Sequence, residues 1–112
     1  MNLPKVVAEL VKAQNNFDSV VYANCFSEAS VVFDEGKTHN GKKEIERWIA
    51  DSNERYKATI KPVSFEENDT ESLFKAETSG NFEGSPIVLT YHMKIADELI
   101  QSLKFYRVAG NG

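Results

Sequence analysis

The second half of the chain constrains the fold most, because it consists of four β-rich segments separated by little more than turns. The segments are residues 56–67, 71–82, 86–96 and 98–108, and "ENDT", "EGS" and "ADE" provide the turn-forming residues between them. Strands joined by connections this short pair in an antiparallel meander. One face of such a sheet must then be covered by the remainder of the chain.

Alternation along each segment predicts which side chains face the core. The inward rows are Phe74, Ala76, Thr78, Gly80 and Phe82; Ile87, Leu89, Tyr91, Met93 and Ile95; and Leu99, Gln101, Leu103 and Phe105. The opposite face mixes apolar and charged side chains, with Leu73, Val88, Ile100 and Tyr106 between Lys75, Glu77, Thr90, His92, Lys94 and Lys104. This pattern suits a symmetric homodimer that pairs the outer sheet faces. The alternative is a solvated face on which lysine stems cover the apolar residues.

Three amphipathic helical segments precede the strands. Each carries an apolar stripe at helical spacing: Val7, Leu10 and Val11; Phe17, Val21 and Cys25; and Ile45, Trp48 and Ile49. Asp18 can cap the second helix, Asn40-Gly41 begins the third, and the β-branched "SVVF" between them predicts a short strand. The fold class is therefore α+β, with three N-terminal helices packed on one face of an antiparallel sheet.

Length and composition limit the classes of function. The 112 residues suffice for one domain, residues 1–112, although the final "AGNG" is expected to fray. A net charge of −4 without a basic block argues against nucleic acid as a partner. No apolar run is long enough to cross a bilayer, and charged residues interrupt the N-terminal segment, so neither a membrane nor a signal peptide is expected and the cytoplasm is the default compartment.

Cysteine and histidine content is equally restrictive. The single cysteine, Cys25, excludes an internal disulfide and a cysteine-based zinc cluster, and its neighbours predict a buried thiol. His39 falls in a polar stretch expected to be a loop, whereas His92 lies on the outer sheet face, so no two-histidine metal site is evident. We expect neither a metal nor a cofactor.

Asp34 is the residue on which the functional interpretation depends. It ends the apolar run in "SVVFDEG" and is followed by a polar stretch. A carboxylate in that position is either a surface charge at a strand end or a general base at the rim of a pocket. In the second case partial desolvation would raise its pKa and make it a better base near neutral pH.

The chain resembles the nuclear transport factor 2-like superfamily. The stretches that carry the resemblance are "NNFDSVVYANCFSEASVVFDEG", "HNGKKEIERWI", "SGNFEGSPIVLTYHMKI" and "DELIQSLKFY", which with the first helix cover nearly the whole chain. The resemblance implies a cone-shaped fold, a curved antiparallel sheet wrapped around three N-terminal helices. That fold also houses ketosteroid isomerases and polyketide-cyclase-like proteins, and many of its members dimerise through the outer sheet face.

The ketosteroid-isomerase-like members suggest roles for individual residues. Asp34 matches the carboxylate that moves the proton, and Tyr91 matches an acid that donates a hydrogen bond to the developing oxyanion. The tyrosine that supplies their other donor is replaced here by Leu10. The predicted pocket places Trp48, Phe82, Gln101 and Phe105 with Tyr91 around one cavity, Asp34 at its polar part, and Leu10 and Val21 nearby.

Two functions follow from this arrangement. In the first, the protein is an isomerase or cyclase in which Asp34 abstracts a proton alpha to a carbonyl and Tyr91 stabilises the enolate. In the second, the cone is a non-catalytic module that binds a small apolar or carbonyl-containing molecule or serves only for dimerisation.

Overall fold

A computed structural model describes residues 1–108, in which two helices, two strands and a third helix precede the four strands of the predicted meander. The frayed end predicted for "AGNG" lies outside the described residues. The elements are α1 (Lys5–Asn15), α2 (Ser19–Asn24), β1 (Phe26–Asp34), β2 (Lys37–Asn40), α3 (Gly41–Tyr56), β3 (Thr59–Glu67), β4 (Ser72–Ser79), β5 (Ile87–Ala96) and β6 (Leu99–Arg107).

The strands form one open sheet in the order β2-β1-β6-β5-β4-β3. The predicted meander β3–β6 is fully antiparallel, and α3 carries the chain from β2 at one edge to β3 at the other. The pair β1 and β6 is parallel, so the sheet is mixed. These two strands are far apart in sequence and are not joined by a short turn, so the sequence does not indicate whether they pair parallel or antiparallel.

The core lies between the helices and one face of the sheet, which confirms the predicted α+β class. Phe74, Ala76, Tyr91, Met93 and Leu103 of the predicted inward rows are buried. They pack with apolar residues of the helices, among them Val7, Leu10, Ile45 and Ile49. Irregular registers in the β1–β6, β3–β4 and β5–β6 pairs bend the strands, as β-bulges do.

The polar stretch after Asp34 is a β-hairpin and not a loop. Glu35 and Gly36 have φ values of 51° and 76°, and positive φ at both central residues is the requirement of the two-residue turn that matches strand twist. β2 then pairs antiparallel with β1, and its His39 stacks on Trp48 with ring centroids 5.5 Å apart. His39 was therefore wrongly predicted to lie in a loop.

A bulge in β6 overturns two further predictions. Lys94 pairs with Ser102 but Ile95 pairs with Ile100, so Gln101 is the extra residue. The alternation is shifted there, and Ile100 is fully buried at 0% exposure instead of belonging to the outer face. Gln101 holds the bulge: its amide donates to the carbonyl of Ala96 at 2.9 Å and accepts from the Ser27 hydroxyl at 2.8 Å.

Within residues 1–108, no helix has the length and apolar character needed to span a membrane. The same residues contain no group of three or more His, Cys, Asp or Glu side chains that could hold a metal ion.

Candidate ligand-binding site

A cavity of about 340 Å³ lies between the helices and the meander. Five of the six predicted site residues line it: Asp34, Trp48, Phe82, Tyr91 and Phe105. Gln101, which was predicted to line the cavity, is not among the lining residues, because the bulge in β6 turns its amide toward Ser27 and Ala96.

Asp34 is the last residue of β1 and is half-buried at the cavity. Trp48, two turns into α3, donates its indole N–H to Asp34 Oδ2 at 3.0 Å. Burial raises the pKa of the Asp34 carboxyl, and the nearby Glu35 raises it further, while the hydrogen bond from Trp48 opposes the shift. The result is an oriented carboxylate that is more basic than an exposed aspartate.

Tyr91 lies in the middle of β5 and is only 3% exposed. Its ring packs edge-on against Phe105 and Phe74, with centroid distances of 4.7 and 5.2 Å. No other residue in the described part of the chain hydrogen-bonds its hydroxyl. Burial, and then the negative charge of Asp34, raise the pKa of Tyr91, so the phenol stays protonated and can donate a hydrogen bond into the cavity.

Tyr22 also lines the cavity, and the sequence analysis missed it. It is 2% exposed on α2, packed between Phe26 and Trp48 at centroid distances of 5.7 and 6.1 Å. Across residues 1–108 its hydroxyl has no hydrogen-bond partner either. Burial raises the pKa of Tyr22 well above its ordinary value, and the neighbouring Tyr91 and Asp34 add to the shift. The two phenols and the carboxylate therefore lie close enough to influence one another.

The prediction failed at Tyr22 because the apolar face of α2 was assigned one residue too early. Asp18 caps the helix as predicted, accepting from the Val21 N–H at 3.1 Å. Val21, which was predicted to pack near the cavity, is however 43% exposed, and Tyr22 and Ala23 are the buried residues. The spacing of Tyr22 and Phe26, two aromatic residues four apart, was the available signal.

Exposed charged side chains also line the cavity. They belong to Glu35, Glu83 and Arg107, and the rings of Tyr56 and Phe82 line the cavity with them. Those rings meet edge-on at 6.3 Å, and the Tyr56 hydroxyl donates to Glu35 Oε1 at 3.5 Å. We call these five residues the cavity rim.

Comparison with known proteins finds the fold repeatedly among solved structures. A proposed polyketide cyclase from Sinorhizobium meliloti is 31% identical with a TM-score of 0.87, over 93% of this chain and 95% of that one. A protein from Catenulispora acidiphila with a ketosteroid isomerase-like fold, in complex with trimethylamine, is 17% identical with a TM-score of 0.83, over 94% and 86% of the two chains. A nuclear transport factor 2-like protein of unknown function from Cytophaga hutchinsonii is 14% identical with a TM-score of 0.75, over 92% and 87%. No family model matches the sequence, and no curated protein does.

Proposed function

This chain belongs to the nuclear transport factor 2-like superfamily, and from that premise we propose that its cavity binds a small carbonyl compound from which Asp34 abstracts an alpha proton. One observation carries the proposal: an oriented, partly desolvated carboxylate shares a cavity with two buried tyrosines whose hydroxyls have no partner among residues 1–108. Because both tyrosines line the cavity, an oxygen acceptor on a bound ligand can accept hydrogen bonds from their hydroxyls. The names of two structural neighbours, a proposed polyketide cyclase and a ketosteroid isomerase-like fold, support chemistry beside a carbonyl.

Each residue has a defined part in the proposed reaction. Asp34 takes the proton from the carbon next to the carbonyl, and its raised pKa brings it closer to the pKa at which a general base works best near neutral pH. Tyr91 and Tyr22 donate hydrogen bonds to the carbonyl oxygen as it becomes an enolate oxygen. In an isomerisation Asp34 then returns the proton at another carbon of the conjugated enolate. In a cyclisation the enolate carbon attacks a second carbonyl, and the oxygen of that carbonyl takes the proton from Asp34 to become a hydroxyl. Trp48 positions the carboxylate and, with Phe82 and Phe105, forms apolar walls.

Exchange of alpha protons in D2O tests the proposal without knowledge of the natural substrate. A panel of cyclic and aryl ketones is incubated with the protein, and loss of the alpha-proton signal is followed by ¹H NMR. Asp34→Asn should slow the catalysed exchange by ~10²–10⁴-fold, the usual contribution of a positioned general base. Asp51→Asn, an exposed carboxylate paired with Arg55 on α3, is the matched control and should leave the rate unchanged.

The outcomes separate the two candidate functions. Equal exchange rates for the wild type and Asp34→Asn would remove Asp34 as the base. Ketones that bind without any catalysed exchange would support the non-catalytic ligand-binding module instead.

We also propose that the outer sheet face forms a homodimer. Phe33 and Tyr106 are 43% and 47% exposed on this face, and the Lys104 ammonium lies 5.0 Å from the centre of the Phe33 ring. The Tyr106 ring also packs edge-on against His92, with centroids 4.5 Å apart. A second copy would cover both exposed rings, and the surrounding charges would form the rim of the interface.

A further inference from the structure

We propose that the ligand of this cavity carries a positive charge, and specifically that it is a small organic cation with a protonated or quaternary amine. The inference rests on the proposed function and narrows its substrate class to amino-carbonyl compounds. The ammonium group would lie at the cavity rim, and the carbonyl oxygen would lie deeper, within reach of Tyr22 and Tyr91.

The charges around the cavity provide the first argument. Three carboxylates line it, Asp34, Glu35 and Glu83, against one guanidinium, that of Arg107. With all four groups ionised the lining carries a net charge of −2, since 1 − 3 = −2. None of the four forms a salt bridge within the part of the chain that the structure describes. A cleft lined mainly by one sign of charge concentrates ligands of the opposite sign and repels carboxylates and phosphates.

The aromatic residues provide the second argument. Six rings line the cavity: Tyr22, Trp48, Tyr56, Phe82, Tyr91 and Phe105. Aromatic faces attract ammonium groups through the ring quadrupole, most strongly where water is excluded, and quaternary ammonium ligands are bound in this way. Tyr56 and Phe82 stand edge-on to each other beside Glu35, so rings and a carboxylate converge at one end. A neutral apolar ligand would need the rings but would gain nothing from the carboxylates.

The hydroxyls of Tyr22 and Tyr91 provide the third argument and orient the ligand. Tyr22 and Tyr91, at 2% and 3% exposure, line the cavity away from the exposed rim and lack partners among residues 1–108. A phenol that stays protonated donates to an oxygen acceptor on a ligand. The ligand that satisfies both ends has a cationic group at the rim and an oxygen acceptor inside.

Choline and its neutral carbon isostere, 3,3-dimethylbutan-1-ol, test the charge directly, because they have nearly the same shape and differ in charge. The anion 3,3-dimethylbutanoate completes the series. Trp48 is the only tryptophan, so its indole N–H gives a single ¹⁵N NMR signal that reports on the cavity during titration. We expect choline to bind at least about tenfold more tightly than the neutral alcohol, and the anion to bind most weakly.

Charge-removing variants locate the source of the preference. The double variant Glu35→Gln and Glu83→Gln should reduce the advantage of choline to about threefold or less, while leaving the neutral alcohol unaffected. Glu66→Gln, an exposed glutamate on β3 that does not line the cavity, is the matched control and should behave as the wild type. If the double variant does not fold, the two single variants and the isostere comparison in the wild type still decide the question.

The outcomes distinguish this inference from the function on which it rests. If the neutral alcohol or the anion binds as tightly as choline or more tightly, the inference of a cationic ligand is wrong. The absence of any shift of the Trp48 signal with choline would also contradict it. Ketone alpha-proton exchange that persists in those cases leaves the proposed function standing. Conversely, selective choline binding without any catalysed exchange supports the cation and contradicts the catalytic role of Asp34.

Discussion

The substitution Gln101→Leu tests whether Gln101 binds ligand in the cavity, as the sequence predicted, or stabilises the β6 bulge, as the structure shows. The inward row predicted an amide that binds ligand, whereas in the structure Gln101 ties the β6 bulge to β1 and to the β5–β6 turn. The substitution keeps a side chain of similar size and removes every hydrogen bond of the amide. It should therefore lower the free energy of unfolding and leave ligand binding intact.

The distances set the magnitude. Two bonds, from Ser27 at 2.8 Å and to Ala96 at 2.9 Å, have good length, whereas the contact to the Leu99 carbonyl at 3.4 Å is weak. At roughly 1 kcal/mol for each good bond, the loss is about 2 kcal/mol. Ser27 is only partly buried and Ala96 is exposed, so water limits the additional penalty. For a domain of this size the melting temperature should fall by roughly 8 °C.

Thermal unfolding by circular dichroism measures the effect, and Ser27→Ala provides the matched comparison. Ser27→Ala loses only the shared bond and should cost about half as much. The double variant should cost less than the sum of the single variants, because both remove the same bond. Unchanged stability of Gln101→Leu together with lost choline or ketone binding would refute the structural role and return Gln101 to the cavity.

Three further predictions concern the site and the assembly. Tyr22→Phe and Tyr91→Phe should each slow alpha-proton exchange of ketones by ~10²–10³-fold, as removal of one oxyanion donor does. Their melting temperatures should be nearly unchanged, because neither hydroxyl has a partner among residues 1–108. A large loss of stability in either variant would contradict the absence of a partner. Because burial raises the pKa of Asp34, folding favours its protonated form. The contribution of Asp34 to stability is therefore full at low pH and is lost as the pH rises through the raised pKa. Between about pH 3 and pH 7 the melting temperature of Asp34→Asn should therefore rise relative to that of the wild type. A melting-temperature difference that does not change with pH would exclude a raised pKa. Sedimentation at micromolar concentration should give twice 12.6 kDa, and Glu77→Lys should shift it toward the monomer by adding positive charge to a lysine-rich face; a dimer unaffected by this change would use another surface.

The sequence predicts the strands well because each has a two-residue period that a buried face enforces. Phe74, Tyr91 and Met93 were predicted to face inward, and they are buried. The period cannot show where a strand gains an extra residue, so the bulge at Gln101 and the burial of Ile100 were missed. It also cannot show pairing between distant strands, such as the parallel pair of β1 and β6.

β2 escaped prediction for a different reason. Its sequence "KTHN" is polar and mostly exposed, as suits a short edge strand, and therefore has no apolar alternation to detect. The signal was in the preceding Glu35-Gly36, a two-residue connection that accepts positive φ. The hairpin matters for the site because it leads directly from Asp34 into α3 and brings Trp48 to the carboxylate.

The two halves of the site differ in how they depend on sequence register. Tyr91 and Phe105 reach the cavity through strand alternation, which allows only two directions, and a buried row on one face selects between them. Tyr22 reaches it through a helix of six residues, where each residue turns the side chain by about 100° and no second turn of apolar residues fixes the phase. A stripe assigned from Phe17 instead of from the Asp18 cap rotates the face by one residue, which places Val21 inside and Tyr22 in solvent. In the proposed reaction, Tyr22 would therefore supply the second hydrogen-bond donor from α2, at a position that only the packed structure brings to the same cavity as Tyr91.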